Sequence, residues 1–564
     1  MTASTPAGAV VPLVPRDGAD DVGLVRGDVE RGTPLQVPGG TVAAIDDIPA
    51  GHKVAVRAVA EGAPVHKYGE VIGVALRDIP PGAHVHQHNL GVGPHSVGVA
   101  APPAGPPVWT PPAAPTRDHF LGYRRADGRA ATRNYIAVLP TVNCSSTVAR
   151  MIAHTANARV TAPSVDGVIA LTHDLGCGMA EGTAGDDILR RTLRGYAGHA
   201  NVAGVLVVSL GCEINQPGNI FGDALAVETL VIEDLGGTAA TVNAARDRVE
   251  AMAARIAGVE RVPVPVAELT LGLQCGGSDA YSGLTANPAL GVAADLLGPV
   301  RPIFVGPERL ARRLAALSES ATYVQYEADP PPCDPPRQTP RADPRRSTGQ
   351  DLVAAGGRVV LGETPEIYGA EHLLRRRAVT PAVGRRIDEL IAWWQAYTAR
   401  NDAELDNNPS VGNRAGGITT IWEKSLGAVL KGGTSPLNDV VAYAEPVTAP
   451  GLTFMDTPGY DPVSATGMVA GGANLLAFTT GRGSVFGSRP TPCLKISTTT
   501  RLYERMRGDI DFDAGSAMSR DDQLRHGTLL FEALIDMASG TPSKSEEIGF
   551  GTEEIVPWRR GAVV

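Results

Sequence analysis

The chain is poor in aromatic residues and in cysteine, carries no excess of positive charge, and contains no long hydrophobic run. Phe, Trp and Tyr make up 5% of its 564 residues, which argues against a binding surface built on stacked rings. The formal net charge is −10, so nucleic acid is excluded as a partner, because neutralising phosphates requires a basic face. No stretch approaches the roughly 20 apolar residues of a membrane helix. The opening MTASTPAGAVVPLVPRDGADD lacks the basic start and apolar core of a secretory signal. A cytoplasmic protein that engages no membrane is expected. Six cysteines in a chain this long do not make a disulfide framework. In a reducing compartment they read as core thiols or as metal ligands.

What the chain does have is length, small residues and repeated strand signals. Its length predicts two or three domains. A hydrophobic share of 43%, a charged share of 20% and 66 glycines fit α/β domains with tight strand-to-helix turns. Residues 1–35 lack periodicity and are expected to be a flexible extension. From 36 to 100, short alternating runs such as KVAVRAV and VIGVALRDI, broken by PAG, EGA and PPG, predict a small β-rich domain. APPAGPPVWTPPAAP, residues 101–115, is a Pro-rich spacer that can neither join a sheet nor propagate a helix. Two α/β domains are expected after it, at 116–327 and 351–564. They are separated by the irregular segment 328–350, a surface insertion or linker that contains Cys333.

In those two regions apolar runs end repeatedly in polar residues, Cys and Gly: NYIAVLPTVNC, GVIALTHDLGC, GVLVVSLGCE and LTLGLQCGGSD. RPIFVG, GRVVLGETPE, GLTFMDTPG and NLLAFTTGRGS have the same shape. Helical patterns lie between several of them, with Val242, Val249, Met252 and Ile256 on one face and Ile387, Leu390, Ile391 and Trp394 on another. Strands alternating with helices predict mainly parallel sheets, whose ligands bind at the carboxyl ends of the strands.

The chemistry-bearing residues sit at those ends. Cys144, Cys177, Cys212 and Cys275 close strand-like runs, and glycine flanks the last three. Glycine lets the backbone approach an inorganic centre closely, and Cys177, Cys212 and Cys275 are the metal-ligand candidates. The alternative is that they are small core residues. His84, His86 and His88 alternate in PPGAHVHQHNL, so on a strand their imidazoles would converge. His86 and His88 are a second candidate metal site; a polar edge strand is the other reading. His52, at a turn, suits an anion. In TTGRGSVFGSRPTPCLKI, Arg482 between glycines, with Lys495, could clamp a carboxylate. A dinucleotide site is excluded, because the glycines read GxGxxxG and no acidic residue follows at the required distance. The polar stretch NPSVGNRAGGITTIWEKSLGAVLKGG adds Asn413, Arg414, Glu423, Lys424 and Lys431.

Taken together, these motifs resemble the altronate/galactarate dehydratase family from about residue 40 to the C-terminus. GHKVAV, HKYGEVIG and HVHQHN are similar to that family's small N-terminal β-clip domain of the SAF type. GYRRADGRAATRNYIAVLPTVNC, LGCEINQ, QCGGSDAYSGLTANPALG, GGITTIWEKSLG and FTTGRGSVFG resemble its catalytic part. HVHQHN is closer to the altronate branch and GYDPVSATG to the galactarate branch. Asp174, Leu175 and Thr499 depart from the pattern. The resemblance implies dehydration of an aldonic or aldaric acid to a 2-keto-3-deoxy acid, dependent on iron or another divalent metal, whether mononuclear or as an iron–sulfur cluster.

Such a reaction needs a base for the proton α to the carboxylate, stabilisation of an ene-diolate, and help for the departing hydroxyl. His173 or Lys424 is the expected base. Ser278, Asp279 and Asn287 are expected to contact substrate hydroxyls, and His52, Arg414, Arg482 and Lys495 to bind its charged or distal parts. A small-molecule sugar acid is the expected partner and an oligomer of identical chains the expected assembly. Two alternatives are a sulfolactate-type sulfo-lyase on the same scaffold and a non-catalytic carbohydrate-binding or regulatory protein.

Overall fold

The computed structural model describes residues 10–11, 20–37, 40–94, 115–222, 225, 227–298, 356–552 and 555–561. The expected spacer 101–115 (except residue 115), the segment 328–350 with Cys333, and the run RPIFVG lie outside them.

The N-terminal part is β-rich, with antiparallel sheets of short strands. Its first sheet contains Val22–Val25 against Lys53–Ala55, and all four residues of the first strand are buried. Residues 1–35 are therefore not all extension. The apolar run VGLV supplies a strand that the surrounding Gly, Pro and charge conceal in the sequence. Lys53–Ala55 also pairs with His84–Val85, which brings the histidine-rich turn beside His52.

Two parallel sheets follow. The first has four strands in the order Gly167–Ala170, Tyr135–Pro140, Val202–Ser209, Glu228–Val231. Helices Asn143–Asn157 and Thr238–Ile256 cover one face through Val148, Ile152, Val249 and Met252. The other face, through Leu139, Leu171 and Val207, meets the helix Ala184–Ala197, which packs on the helix Asp461–Ala470 against the second sheet. The second sheet has seven parallel strands: Leu437–Val441, Gly451–Met455, Arg358–Leu361, Thr270–Cys275, Leu475–Thr480, Cys493–Ser497 and Phe512–Asp513. The inner strands of both sheets are largely apolar runs, as parallel strands covered on two faces must be.

The expected division at 328–350 does not match how the sheets divide. Thr270–Cys275 precedes that segment and yet stands at the centre of the seven-stranded sheet. Later strands add first to one side of it and then to the other. The winding thus reverses beside this strand, and the crevice outside its carboxyl end is where open α/β sheets bind ligands. Among the described residues no helix is long and apolar enough to cross a membrane.

Candidate active site

The central strand ends in Cys275, Gly276 and Gly277. Its neighbour Arg358–Leu361 runs into Gly362 and Glu363, where the backbone turns through φ 68°. That left-handed conformation is uncommon outside glycine and recurs at functional turns. It is held by the Glu363 N–H, which donates to Thr457 Oγ1 at 2.7 Å. The short 3₁₀ turn Thr364–Ile367 then brings Glu366 to the same side. The Cys275 thiol lies 3.4 Å from Glu363 Oε2 and 3.6 Å from Glu366 Oε2. Lys431 donates to Cys275 Sγ at 2.7 Å and to Glu363 Oε2 at 3.1 Å. Lys424 donates to Glu366 Oε1 at 2.6 Å and Asn408 Oδ1 at 2.9 Å. Asp461 opens the helix Asp461–Ala470, and its carboxylate lies over Gly276. A Cβ on Gly276 would fall 2.2 Å from Asp461 Oδ2, so only glycine fits there. The cluster borders a cleft of about 490 Å³ whose lining includes Cys275, Glu366, Asn408, Asn413, Lys424 and Asp461.

Three carboxyl groups thus face two ammonium groups, with Asp461 half-buried at the cleft and the other four side chains buried. Burial pushes Asp461 up to about 6, and the Glu366 charge adds to it. Burial also raises Glu363, against the pull of Lys431. For Glu366, burial is outweighed by Lys424 and Lys431, and the carboxyl stays ionised. Lys424 and Lys431 are both held above the ordinary lysine value, because Glu366, Cys275 and Glu363 overcome their desolvation. Burial and the Glu363 charge keep Cys275 a neutral thiol. Carboxyls whose environments pull them apart in this way are the signature of assigned acid and base roles.

Of the expected site residues, Lys424 and Cys275 are in this cluster. Arg482 is exposed at its rim, beside Gly277: a Cβ on Gly277 would lie 2.9 Å from Arg482 Cβ. His173 lies elsewhere, buried beside the four-stranded sheet. Its Nε2 donates to Pro140 O and its Nδ1 accepts from the Leu175 N–H. With both ring nitrogens occupied and burial lowering its pKa to about 4, His173 has no lone pair left for proton abstraction. Cys177 and Cys212 are exposed on the four-stranded sheet while Cys275 is buried in the other. The three cysteines expected to share a metal therefore do not meet.

The remaining polar candidates are engaged in holding the structure. The Arg414 guanidinium donates to the carbonyls of Pro409, Thr419 and Asp406, and Lys495 donates to Phe486 O from inside the sheet. Asn287 spends its amide on Gly427 O and Thr479 Oγ1, and Asp279 is filled by Tyr281 N–H, Ser282 and Thr498. Ser278, Asp279 and Asn287 do border a cavity, but one of only about 10 Å³, room for a single water at most. His52, His84, His86 and His88 do gather, with ring centroids 5.1–5.6 Å apart. A turn, not a long strand, brings them together, since the strand is only His84–Val85. Desolvation and repulsion from the neighbouring imidazoles bring His84 to about 3, and desolvation with the Lys53 charge brings His86 to about 4. His52 and His86 face the carbonyls of Ala415 and Arg414, so this cluster is part of the seam to the C-terminal domain. No three of its ring nitrogens come within 4.8 Å of one another.

Glu363, Glu366 and Asp461 are not among the residues the sequence points to, and Lys431 is named there only as part of a polar stretch, without a role. The available signal was GETPE at the end of an apolar run, two acids three residues apart beside a glycine. Among the described residues, the only three His, Cys, Asp or Glu side chains with ligand atoms all within 4.8 Å are Cys275, Glu363 and Glu366, a possible metal-binding triad.

This geometry lies within segments matched by family models. Residues 266–301 and 347–563 match "D-galactarate/Altronate dehydratase, C-terminal", 122–257 match "D-galactarate dehydratase/Altronate hydrolase, second domain", and 12–92 match "Altronate/galactarate dehydratase SAF domain". The chain belongs to the galactarate/altronate dehydratase family. It is 31% identical to an altronate dehydratase of Bacillus subtilis, over 97% of this chain and 98% of that one. With an altronate dehydratase of Escherichia coli it shares 32%, over 94% and 96%. With the galactarate dehydratase (L-threo-forming) of the same organism it shares 30%, over 92% and 91%. The family are hydro-lyases, and the three matched segments correspond to the β-rich domain and the two parallel sheets.

Proposed function

We propose that the chain dehydrates an aldonic or aldaric acid, of the altronate or galactarate type, in the cleft at the carboxyl end of the seven-stranded sheet. The observation that carries this reading is the cluster in which half-buried Asp461, with Glu366 and Lys424, lines that cleft and buried Glu363 and Lys431 stand behind them. Asp461, poised near neutrality and lining the cleft, is the base that takes the proton α to the carboxylate. A general base is most effective when its pKa lies near the working pH. Lys424 keeps one ammonium N–H beyond those given to Glu366 and Asn408 for the ene-diolate oxygen. The proton now on Asp461 is available to the β-hydroxyl, which leaves as water, and the enol product becomes a 2-keto-3-deoxy acid. Arg482 at the rim suits the far end of the substrate, a carboxylate in an aldaric acid.

The resemblance implied iron or another divalent metal. Cys275, Glu363 and Glu366 satisfy the spacing for one ion, but their charge is already balanced. Lys431 bonds both Cys275 and Glu363, and Lys424 bonds Glu366. A divalent ion would be a third cation among buried ammonium groups, an arrangement of high electrostatic cost. The triad as arranged does not fit the metal.

The reading is tested with a panel of altronate, galactarate, further aldonic and aldaric acids and sulfolactate, scored for keto-acid and for sulfite. Keto-acid from a sugar acid is expected. Sulfite release from sulfolactate alone would replace the hydro-lyase with a sulfo-lyase, and no turnover of any substrate would favour a binding protein.

A further inference from the structure

The chain that runs along the cleft ahead of the helix Ile421–Val429 carries one side chain bonded to both signs of the charged cluster. Asn408 Nδ2 donates to Glu366 Oε1 at 2.8 Å, and Asn408 Oδ1 accepts from Lys424 Nζ at 2.9 Å. Lys424 Nζ in turn donates to the same Glu366 oxygen at 2.6 Å, so the three groups close a triangle. An ammonium only donates and an ionised carboxylate only accepts. The amide is therefore fixed in one orientation, with its donor and its acceptor both used.

The backbone around Asn408 is braced to keep it there. The short turn Leu405–Asn407 opens on a capping box in which Glu404 and Asn407 satisfy each other's N–H groups. Arg414 donates to Asp406 O at 3.1 Å and to Pro409 O at 3.0 Å, one carbonyl before Asn408 and one after. Its third bond, at 3.1 Å, goes to Thr419 O, just ahead of the helix that carries Lys424. The Asp406 carboxylate accepts from the N–H of Ile421, the first residue of that helix, at 2.9 Å. One guanidinium and one carboxylate thus set the spacing between Asn408 and Lys424. From the opposite side, a Cβ on Gly459 would fall 3.2 Å from Glu366 Cγ and 3.6 Å from Asn408 Nδ2, so the loop leading to Asp461 lies against the same pair.

This bracing has a consequence for the ammonium group. Its three N–H bonds turn together about Cε–Nζ. A bond to Glu366 alone would leave the other two free to rotate. The second bond, to Asn408, stops that rotation and sets the direction of the third. Lys424 and Asn408 both border the cleft, so the remaining N–H is left for a group bound there.

We propose that Asn408 is a positioning residue for the dehydration, acting through Lys424 by fixing the direction in which the ammonium meets the ene-diolate oxygen. The proposal rests on the reading of this cleft as the site of the reaction. The ene-diolate oxygen gains charge only as the α-proton leaves, so an N–H aimed at it favours the transition state over the bound substrate. Loss of that aim belongs in kcat and not in KM.

The test compares kcat and KM of Asn408→Ala and Asn408→Asp with those of the parent and of Asp461→Asn. The substrate is the altronate- or galactarate-type acid that the parent turns over, and a melting curve is run on each variant. Asn408→Ala should lose about 10–10²-fold in kcat through the misplaced ammonium, with KM within about twofold of the parent. Asn408→Asp keeps the size and the acceptor for Lys424, and donates to Glu366 when protonated, so its kcat should lie between those of Asn408→Ala and the parent. A parental kcat in Asn408→Ala, or a raised KM at parental kcat, overturns the proposal while an impaired Asp461→Asn leaves the reading of the cleft standing. Parental turnover by Asp461→Asn removes that reading, and the proposal with it. Should Asn408→Ala not fold, Asn408→Asp decides alone: a lowered kcat at parental KM supports the proposal, and a parental kcat overturns it.

Discussion

Glu423→Gln is the substitution with the largest calculable consequence. Glu423 is buried at the seam between the N-terminal domain and the helix Ile421–Val429. It accepts from Lys53 at 2.8 Å and Lys67 at 2.7 Å, and all three side chains are within 2% of full burial. Burial is the largest influence on each. It brings Lys53 down to about 8, but for Lys67 the charges of Glu423 and Tyr68 overcome it and raise the lysine. The two ammonium groups likewise overcome it for Glu423 and hold its carboxyl at about 2. Relative to an ordinary value of 4.5, that is about 3 kcal/mol of preference for the charged form. Replacing the carboxylate by an amide leaves two buried ammonium ions facing no anion, at a cost of about 3–5 kcal/mol. Urea unfolding at neutral pH should show that loss, and limited proteolysis should release the N-terminal domain sooner. The sign with pH follows from the lowered value. The parent's stabilisation is complete above pH 4.5 and is lost as pH falls toward 2, so the acid limb should flatten in Glu423→Gln. Replacing Lys53, Lys67 and Glu423 together by Met should recover much of the loss. A single Glu423→Gln variant within about 1 kcal/mol of the parent would refute the reasoning, because it would mean the triad is solvated.

Asp461→Asn should lower kcat by about 10²–10⁴ with the fold intact. In the parent, kcat/KM should rise with pH through about 6, since the base must be unprotonated; a flat profile between pH 5 and 7 would remove Asp461 from that role. Arg482→Ala should weaken binding by about 1.5–3 kcal/mol, read as KM, with an unchanged melting temperature; an unchanged KM takes Arg482 out of the site. His173→Ala should cost about 1–3 kcal/mol of stability by stranding Pro140 O and the Leu175 N–H, while activity per folded molecule persists. Loss of activity without loss of stability would return His173 to the chemistry.

The division between what was legible and what was not follows from the range of each interaction. Fold class, strand runs and the β-rich N-terminal domain were written in local periodicity, because each buried parallel strand must be apolar on both faces. Long motifs carried the family in the same way. Lys424 and Cys275 could be marked as chemical, but the partners that give them roles could not. Cys275 is 88 residues from Glu363 and 156 from Lys431, and only the neighbouring of Thr270–Cys275 with Arg358–Leu361 brings them together. The same holds for cysteine. All four thiols close strand-like runs in sequence, and the sheet to which each strand belongs puts Cys275 in the cleft and leaves Cys144, Cys177 and Cys212 exposed at the four-stranded sheet. His173, Arg414 and Lys495 were misleading for the converse reason: a polar side chain near glycine reads as chemistry until its hydrogen bonds are seen to be filled by main-chain carbonyls. The sequence by itself determined which segments are strands and which family they compose. Tertiary structure decided which charges face each other once water is excluded, because pairing across a parallel sheet depends on strand order, and strand order is a non-local choice.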